Sequence, residues 1–107
     1  MKRVRQAGVT IAFGSDVYAD IDGETRGTLA IEYLDGFVEA GFPAREILQI
    51  FTINAARLLG VEKQRGTIAP GMAADIIATP ENPLDNINTL KRVSFVMKNG
   101  KVHKHGK

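Results

Sequence analysis

Val9-Thr10-Ile11-Ala12-Phe13, closed by Gly14-Ser15-Asp16, says most about the architecture of this chain. All five opening residues are apolar or β-branched, and Gly8 and Gly14 bound them. A run of this kind, without polar alternation, predicts a strand covered on both faces, as in a parallel sheet with helices packed over it. Such a strand needs parallel neighbours on both sides, and nothing before Val9 supplies one. Either another chain completes the sheet or truncation has removed its partners.

Downstream the period changes from strand to helix. Leu29, Tyr33 and Phe37 recur at four-residue spacing with Ala30, Leu34 and Val38 beside them, which predicts a helix over 28–40 with one broad apolar stripe. Gly41 stops it, and Pro43 opens a second helix whose face carries Ile47, Leu48 and Phe51. Asn54 is expected to cap Ala55-Ala56-Arg57-Leu58-Leu59, with Gly60 as the left-handed stop. The remainder reads as β-structure. Pro70-Gly71 suits the centre of a type II turn, Asp75–Thr79 a strand, Pro80 and Pro83 an irregular loop. Asn99-Gly100 suits the type I′ turn of a hairpin between Val93–Lys98 and Lys101–His103. The expected division is 1–62, holding the strand, an acidic loop and helices, and 63–107, holding the later β-structure.

Composition bounds the function. The 107 residues are 44% hydrophobic with no cysteine and no tryptophan, enough for one modest core. Lacking cysteine, the chain has no disulfide, thiolate metal site or cysteine nucleophile, and its chemistry falls to histidine and carboxylates. No apolar run approaches the ~20 residues of a membrane span, and no signal-peptide core follows Met1-Lys2-Arg3-Val4-Arg5, so no membrane partner and a cytoplasmic location are expected. The net charge of +2 hides a division: half of the fourteen cations lie in 1–15 and 97–107, leaving the interior with seven against twelve acids. Both terminal segments are expected to stay solvated, and cations there do not form the basic face that phosphates require, so nucleic acid is not an expected partner.

Four segments, in order, carry a resemblance: Phe13-Gly14-Ser15-Asp16; Thr52-Ile53-Asn54-Ala55-Ala56-Arg57-Leu58-Leu59-Gly60; Gly66-Thr67-Ile68-Ala69-Pro70-Gly71-Met72-Ala73-Ala74-Asp75-Ile76-Ile77; and Val96-Met97-Lys98-Asn99-Gly100-Lys101-Val102. Together they resemble the C-terminal end of a metal-dependent amidohydrolase, nearest the branch of imidazolonepropionase and the Xaa-Pro and Xaa-Arg dipeptidases. The resemblance implies an α/β fold class: the last strand and helices of a (β/α)8 barrel, followed by part of a small β-sandwich, incomplete as a single chain. It implies hydrolysis of a C–N bond in a small amide, cyclic amide or dipeptide, with a divalent metal, zinc by expectation, in the complete enzyme. Asp16 would then touch the metal and the reacting water and shuttle the proton, at the C-terminal end of a barrel strand where such sites lie. Read without the resemblance, an aspartate at that point is a turn or capping residue.

Arg26 has two readings as well. At a barrel mouth its guanidinium would bind a substrate carboxylate bidentately; otherwise it pairs with Asp22 or Glu24 at little energetic gain. The family's other metal ligands, an H-x-H pair, a carboxylated lysine or glutamate and two further histidines, precede this segment in the family, so the isolated chain is expected to be inactive and to bind no metal tightly. His103-Lys104-His105 matches the H-x-H spelling but follows the final hairpin, and its expected state is a solvated tail. Asp20-Ile21-Asp22-Gly23-Glu24 reads as a solvated loop: a calcium site would need Gly and Glu where Thr25 and Ile31 stand. Open strand edges make a homo-oligomer, with exchanged strands, the expected assembly. The competing readings are a truncated relic and a non-catalytic module that self-associates or binds a peptide along an open edge.

Overall fold

A computed structural model of the chain describes residues 2–16, 22–23 and 25–106, the side chains of Lys2 and Arg26 excepted. Most of the acidic loop, including Asp20, Ile21 and Glu24, lies outside the described residues. The elements run α1 (Lys2–Gln6), α2 (Arg26–Glu32), α3 (Leu34–Glu39), α4 (Ala44–Phe51), α5 (Ile53–Leu59), β1 (Ile76–Ala78), a 3-10 helix (Ile87–Arg92), β2 (Phe95–Lys98) and β3 (Lys101–His105).

The helical layer holds the core. Leu34, Phe37, Phe42, Ile47, Ile50 and Leu90 are buried together, and Ile11, Phe13, Ile31, Leu48, Phe51 and Ile87 pack against them. Ile11 and Phe13 pack on the helices, but Val9 and Thr10 are exposed, so the segment does not have the cover on both faces that its apolar run predicts. The segment Val9–Phe13 is also in no ladder among the described residues. Its N–H and C=O groups have no neighbouring strand to bond, and a ladder is a property of the pair.

The stripe over 28–40 forms as two short helices. Tyr33 keeps right-handed dihedrals, but its N–H reaches back three residues to Ala30, and Gly36 bonds Tyr33 in the same tighter way. Gly36, a poor helix former, follows the joint. Thr25 and Thr28 cap α2 reciprocally through their hydroxyls, at 2.8 and 3.0 Å. Pro43 stands at the cap of α4, one position before the helix. The basic N-terminal segment is not a solvated tail but α1. Arg5 grips Glu46 of α4 bidentately at 2.8 and 3.1 Å and stands over the Phe42 ring, long-range contacts that a helix of five residues needs.

The sheet has the order β1-β2-β3, antiparallel throughout, with Ile76 opposite Met97 and Met97 opposite Val102. Asn99 and Gly100 both have positive φ, 49° and 77°, as a type I′ turn demands. At Pro70-Gly71 the Met72 N–H bonds the Ala69 carbonyl at 3.2 Å, with Gly71 at φ 84°. A bulge between Val96 and Met97 leaves His103 without an opposite residue. β3 runs on to His105, whose ring meets Phe95 edge-on at 5.9 Å, so His103-Lys104-His105 belongs to a strand rather than to a tail.

Candidate functional site

The candidate position, Asp16, lies at the far end of the Val9–Phe13 segment. Phe13 fixes it: its ring stacks on Phe51 at 4.4 Å and meets Tyr33 and Phe37 at 5.8 and 6.3 Å. The same residue donates its backbone N–H to the Ile50 carbonyl at 3.1 Å. That carbonyl is available because Ile50 lies in the last turn of α4, where the helix has no further donor for it. Two residues earlier, the Ile11 carbonyl accepts a hydrogen bond from Asn54 Nδ2 at 2.9 Å, partly shielded from water. With the Val9 N–H bonded to the Val4 carbonyl of α1 at 3.3 Å, the segment is held by two apolar side chains and by three of its main-chain groups.

Asn54 does not do what the sequence suggests. Helix α5 starts at Ile53, its cap is Thr52 without a side-chain bond, and Asn54 sits inside the first turn. An asparagine near a helix start has two uses for its amide, the local backbone or a distant carbonyl, and the linear sequence does not distinguish them.

Past Phe13, Gly14 and Ser15 lead to Asp16, which is exposed and has φ 49°. Aspartate tolerates this left-handed region better than most residues, because its short side chain interacts locally. An exposed carboxylate can hold a cation or move a proton, and the segment fixes where its backbone stands. Arg26 opens α2, though its side chain lies outside the described residues, as does its bond to any neighbour. The ion pairs among the described residues join Arg5 to Glu46, Arg65 to Asp75, Lys91 to Asp35 and Arg92 to Glu81, and Asp16 is in none of them.

The donor set decides the metal question. Among the described residues no three His, Asp or Glu side chains gather as a metal site would need. Asp16 is at most one ligand, so the described residues do not fit a metal centre by themselves. His103 and His105 stand on the exposed β3, a different element from Asp16. An open groove of about 420 Å³ lies along Gly8–Ile11 beside Gln49, Asn54 and Arg57, at the end of the segment opposite Asp16.

Asp75 anchors a separate polar cluster. One oxygen accepts the Asn99 N–H at 2.8 Å and the other the Arg65 guanidinium, which also reaches Asn99 Oδ1 at 3.0 Å. The Asn99 N–H, and after it Arg65, hold the Asp75 carboxyl below its ordinary range. The cluster ties the loop after α5 to β1 and the hairpin turn, a structural task that the sequence reading did not assign.

The amidohydrolase family model matches residues 1–103. The 5-methylthioadenosine/S-adenosylhomocysteine deaminase of Teredinibacter turnerae is 34% identical over 85 residues, covering 75% of this chain and 19% of the deaminase. The ochratoxinase of Aspergillus niger is 34% identical over 103 residues, covering 92% of this chain and 20% of that protein. Among solved structures, a Xaa-Pro dipeptidase with bound methionine in its active site superposes with TM-score 0.85 at 34% identity, over 96% of this chain and 24% of the dipeptidase. The chain therefore spans about a fifth of the curated relatives it matches and about a quarter of that solved chain.

Proposed function

The chain belongs to the amidohydrolase family, and from that premise we propose that it is the segment of a metal-dependent C–N hydrolase that carries the proton-handling carboxylate, Asp16. The observation behind the reading is the placement of one exposed carboxylate, in a backbone region few residues adopt, at the end of a segment anchored in the core. In this role Asp16 takes a proton from the water that attacks the substrate's carbonyl carbon. A C–O bond forms, the C–N bond breaks, and Asp16 gives the proton to the departing nitrogen, ending as it began. The divalent metal of the complete enzyme, zinc in this reading, takes its other ligands from outside the described residues, and the isolated chain is inactive. The substrate is a small amide, cyclic amide or dipeptide, and Arg26 binds its carboxylate. The dipeptidase likeness supports the dipeptide; the deaminase relatives support the broader C–N class.

A chimera tests this. Residues 1–107 replace the corresponding quarter of the Xaa-Pro dipeptidase, and Xaa-Pro hydrolysis is measured with and without Asp16→Asn. The expected result is an active chimera that loses about 10²- to 10⁴-fold in kcat on substitution, the usual worth of a positioned acid-base group. Unchanged turnover would remove Asp16 from the mechanism. An inactive unsubstituted chimera that folds and binds zinc would count against the dipeptide reading, and hydrolysis by the isolated chain with zinc would overturn its inactivity.

A second reading, a self-associating module, draws on the sheet. Both outer strands, β1 and β3, bond only β2 among the described residues, and Ile77 and Val102 are exposed on them.

A further inference from the structure

We propose that Asn54 is a positioning residue for Asp16: its side-chain amide holds the Ile11 carbonyl, and with the Ile50 carbonyl on Phe13 it sets the segment from which Asp16 projects. The inference rests on the reading of Asp16 given above and deepens it. A strand inside a sheet takes its position from its neighbours' ladders. Here the segment's described main-chain bonds run instead to helices: at its start the Val9 N–H bonds the Val4 carbonyl of α1 at 3.3 Å, and nearer Asp16 two groups bond the helices beneath, Ile11 C=O to the Asn54 side chain at 2.9 Å and Phe13 N–H to the orphaned Ile50 carbonyl at 3.1 Å. The two bonded groups lie two residues apart, and they belong to the two residues whose side chains enter the core. Side-chain packing fixes how deep the segment lies; the paired hydrogen bonds fix its translation along its own axis. A one-residue slip would move Asp16 by the ~3.3 Å rise of an extended residue. The junction of α4 and α5 serves this purpose: α4 ends so that the Ile50 carbonyl is left over, and α5 begins so that Asn54 lies on the turn facing it.

The clamp separates from a helix cap by experiment. Alanine is the better helix former, so Asn54→Ala leaves α5 as stable or more so if Asn54 is a clamp, and weakens it if Asn54 is a cap. Asn54→Asp is nearly isosteric but presents at neutral pH an oxygen, which cannot donate, to the Ile11 carbonyl. Amide hydrogen exchange and 15N relaxation are read on the 107-residue chain. In both variants Phe13 amide protection is expected to fall about fivefold, the worth of one net hydrogen bond, and the order parameters of Ser15 and Asp16 to fall with it. The Ala56 and Val61 amides, bonded to Thr52 and Ala56, keep their protection in Asn54→Ala. Unchanged protection at Phe13 in both variants, or loss at α5 in step with it, would overturn the clamp.

In the active chimera, Asn54→Ala is expected to lower kcat by about 10- to 100-fold with little change in KM, the signature of a displaced catalytic group. A loss confined to KM would overturn the positioning role. If Asp16→Asn leaves turnover intact while the exchange results stand, the catalytic reading fails and the clamp survives as structure alone.

Discussion

Gly66 offers a test in which one methyl group distinguishes two sources of strain. Its φ is +103°, and a Cβ built there would stand 2.8 Å from Ala56 Cβ, 3.3 Å from Ile53 Cα and 3.4 Å from Ile53 Cδ1. Carbon atoms rest at about 3.5–4.0 Å, and both neighbours belong to α5, where Ala56 is buried. Gly66→Ala therefore carries about 1–3 kcal/mol for a backbone region closed to L-residues. Overpacking against a helix that cannot yield adds about 1–3 kcal/mol. The total, about 2–6 kcal/mol, is a large share of the roughly 5–15 kcal/mol that holds a domain folded. Urea unfolding followed by far-ultraviolet circular dichroism measures it directly. Ala56→Gly removes the methyl group at the shortest contact, so the double variant should recover about 1–2 kcal/mol relative to the sum of the single ones, while the φ cost stays. A loss below about 0.5 kcal/mol for Gly66→Ala would refute the close packing of this loop on α5, and strict additivity would refute the steric half of the reasoning.

Other consequences follow from the same contacts. Asp75 has its carboxyl held below the ordinary range by the Asn99 N–H and Arg65, so its contribution to stability is present above the unfolded value near pH 4 and is lost as pH falls through the lower folded one. Asp75→Asn should accordingly destabilise the chain at neutral pH and flatten the acid side of its stability profile; an unchanged profile would show that the cluster contributes nothing. If the open edges of β1 and β3 drive self-association, light scattering should give a mass that rises with concentration, and a Lys in place of Ile77 should return it to that of one chain. A sharp monomer mass at every concentration would exclude that reading.

Several elements were legible because their determinants are local. Asn99-Gly100 specifies its turn through two residues that accept positive φ, Pro70-Gly71 through one, and Gly60 ends α5 at φ 75° as its lack of a Cβ allows. The apolar stripe of 28–40 places Leu34 and Phe37 in the core, but Tyr33 and Val38 of the same stripe are exposed, and the joint at Tyr33 is not legible in it, because period reports a face and not the continuity of hydrogen bonds. The helix at the basic N-terminal segment is not legible in the sequence, because composition records the charge of Arg5 but not that Glu46, 41 positions away, faces it. His103 and His105 read as a tail in the sequence for the same reason: their strand exists only by pairing with β2.

The candidate site divides along this line. The sequence alone offers Asp16 as the candidate, at the end of a β-rich run and inside a family resemblance, and the family itself, which the match over residues 1–103 shows; identity and order along the chain are enough for that. Only the tertiary structure assigned Asn54 to the Ile11 carbonyl and Ile50 to the Phe13 amide, contacts that span 43 and 37 positions. A hydrogen bond between distant residues depends on where two helices end in space, and no local propensity encodes that.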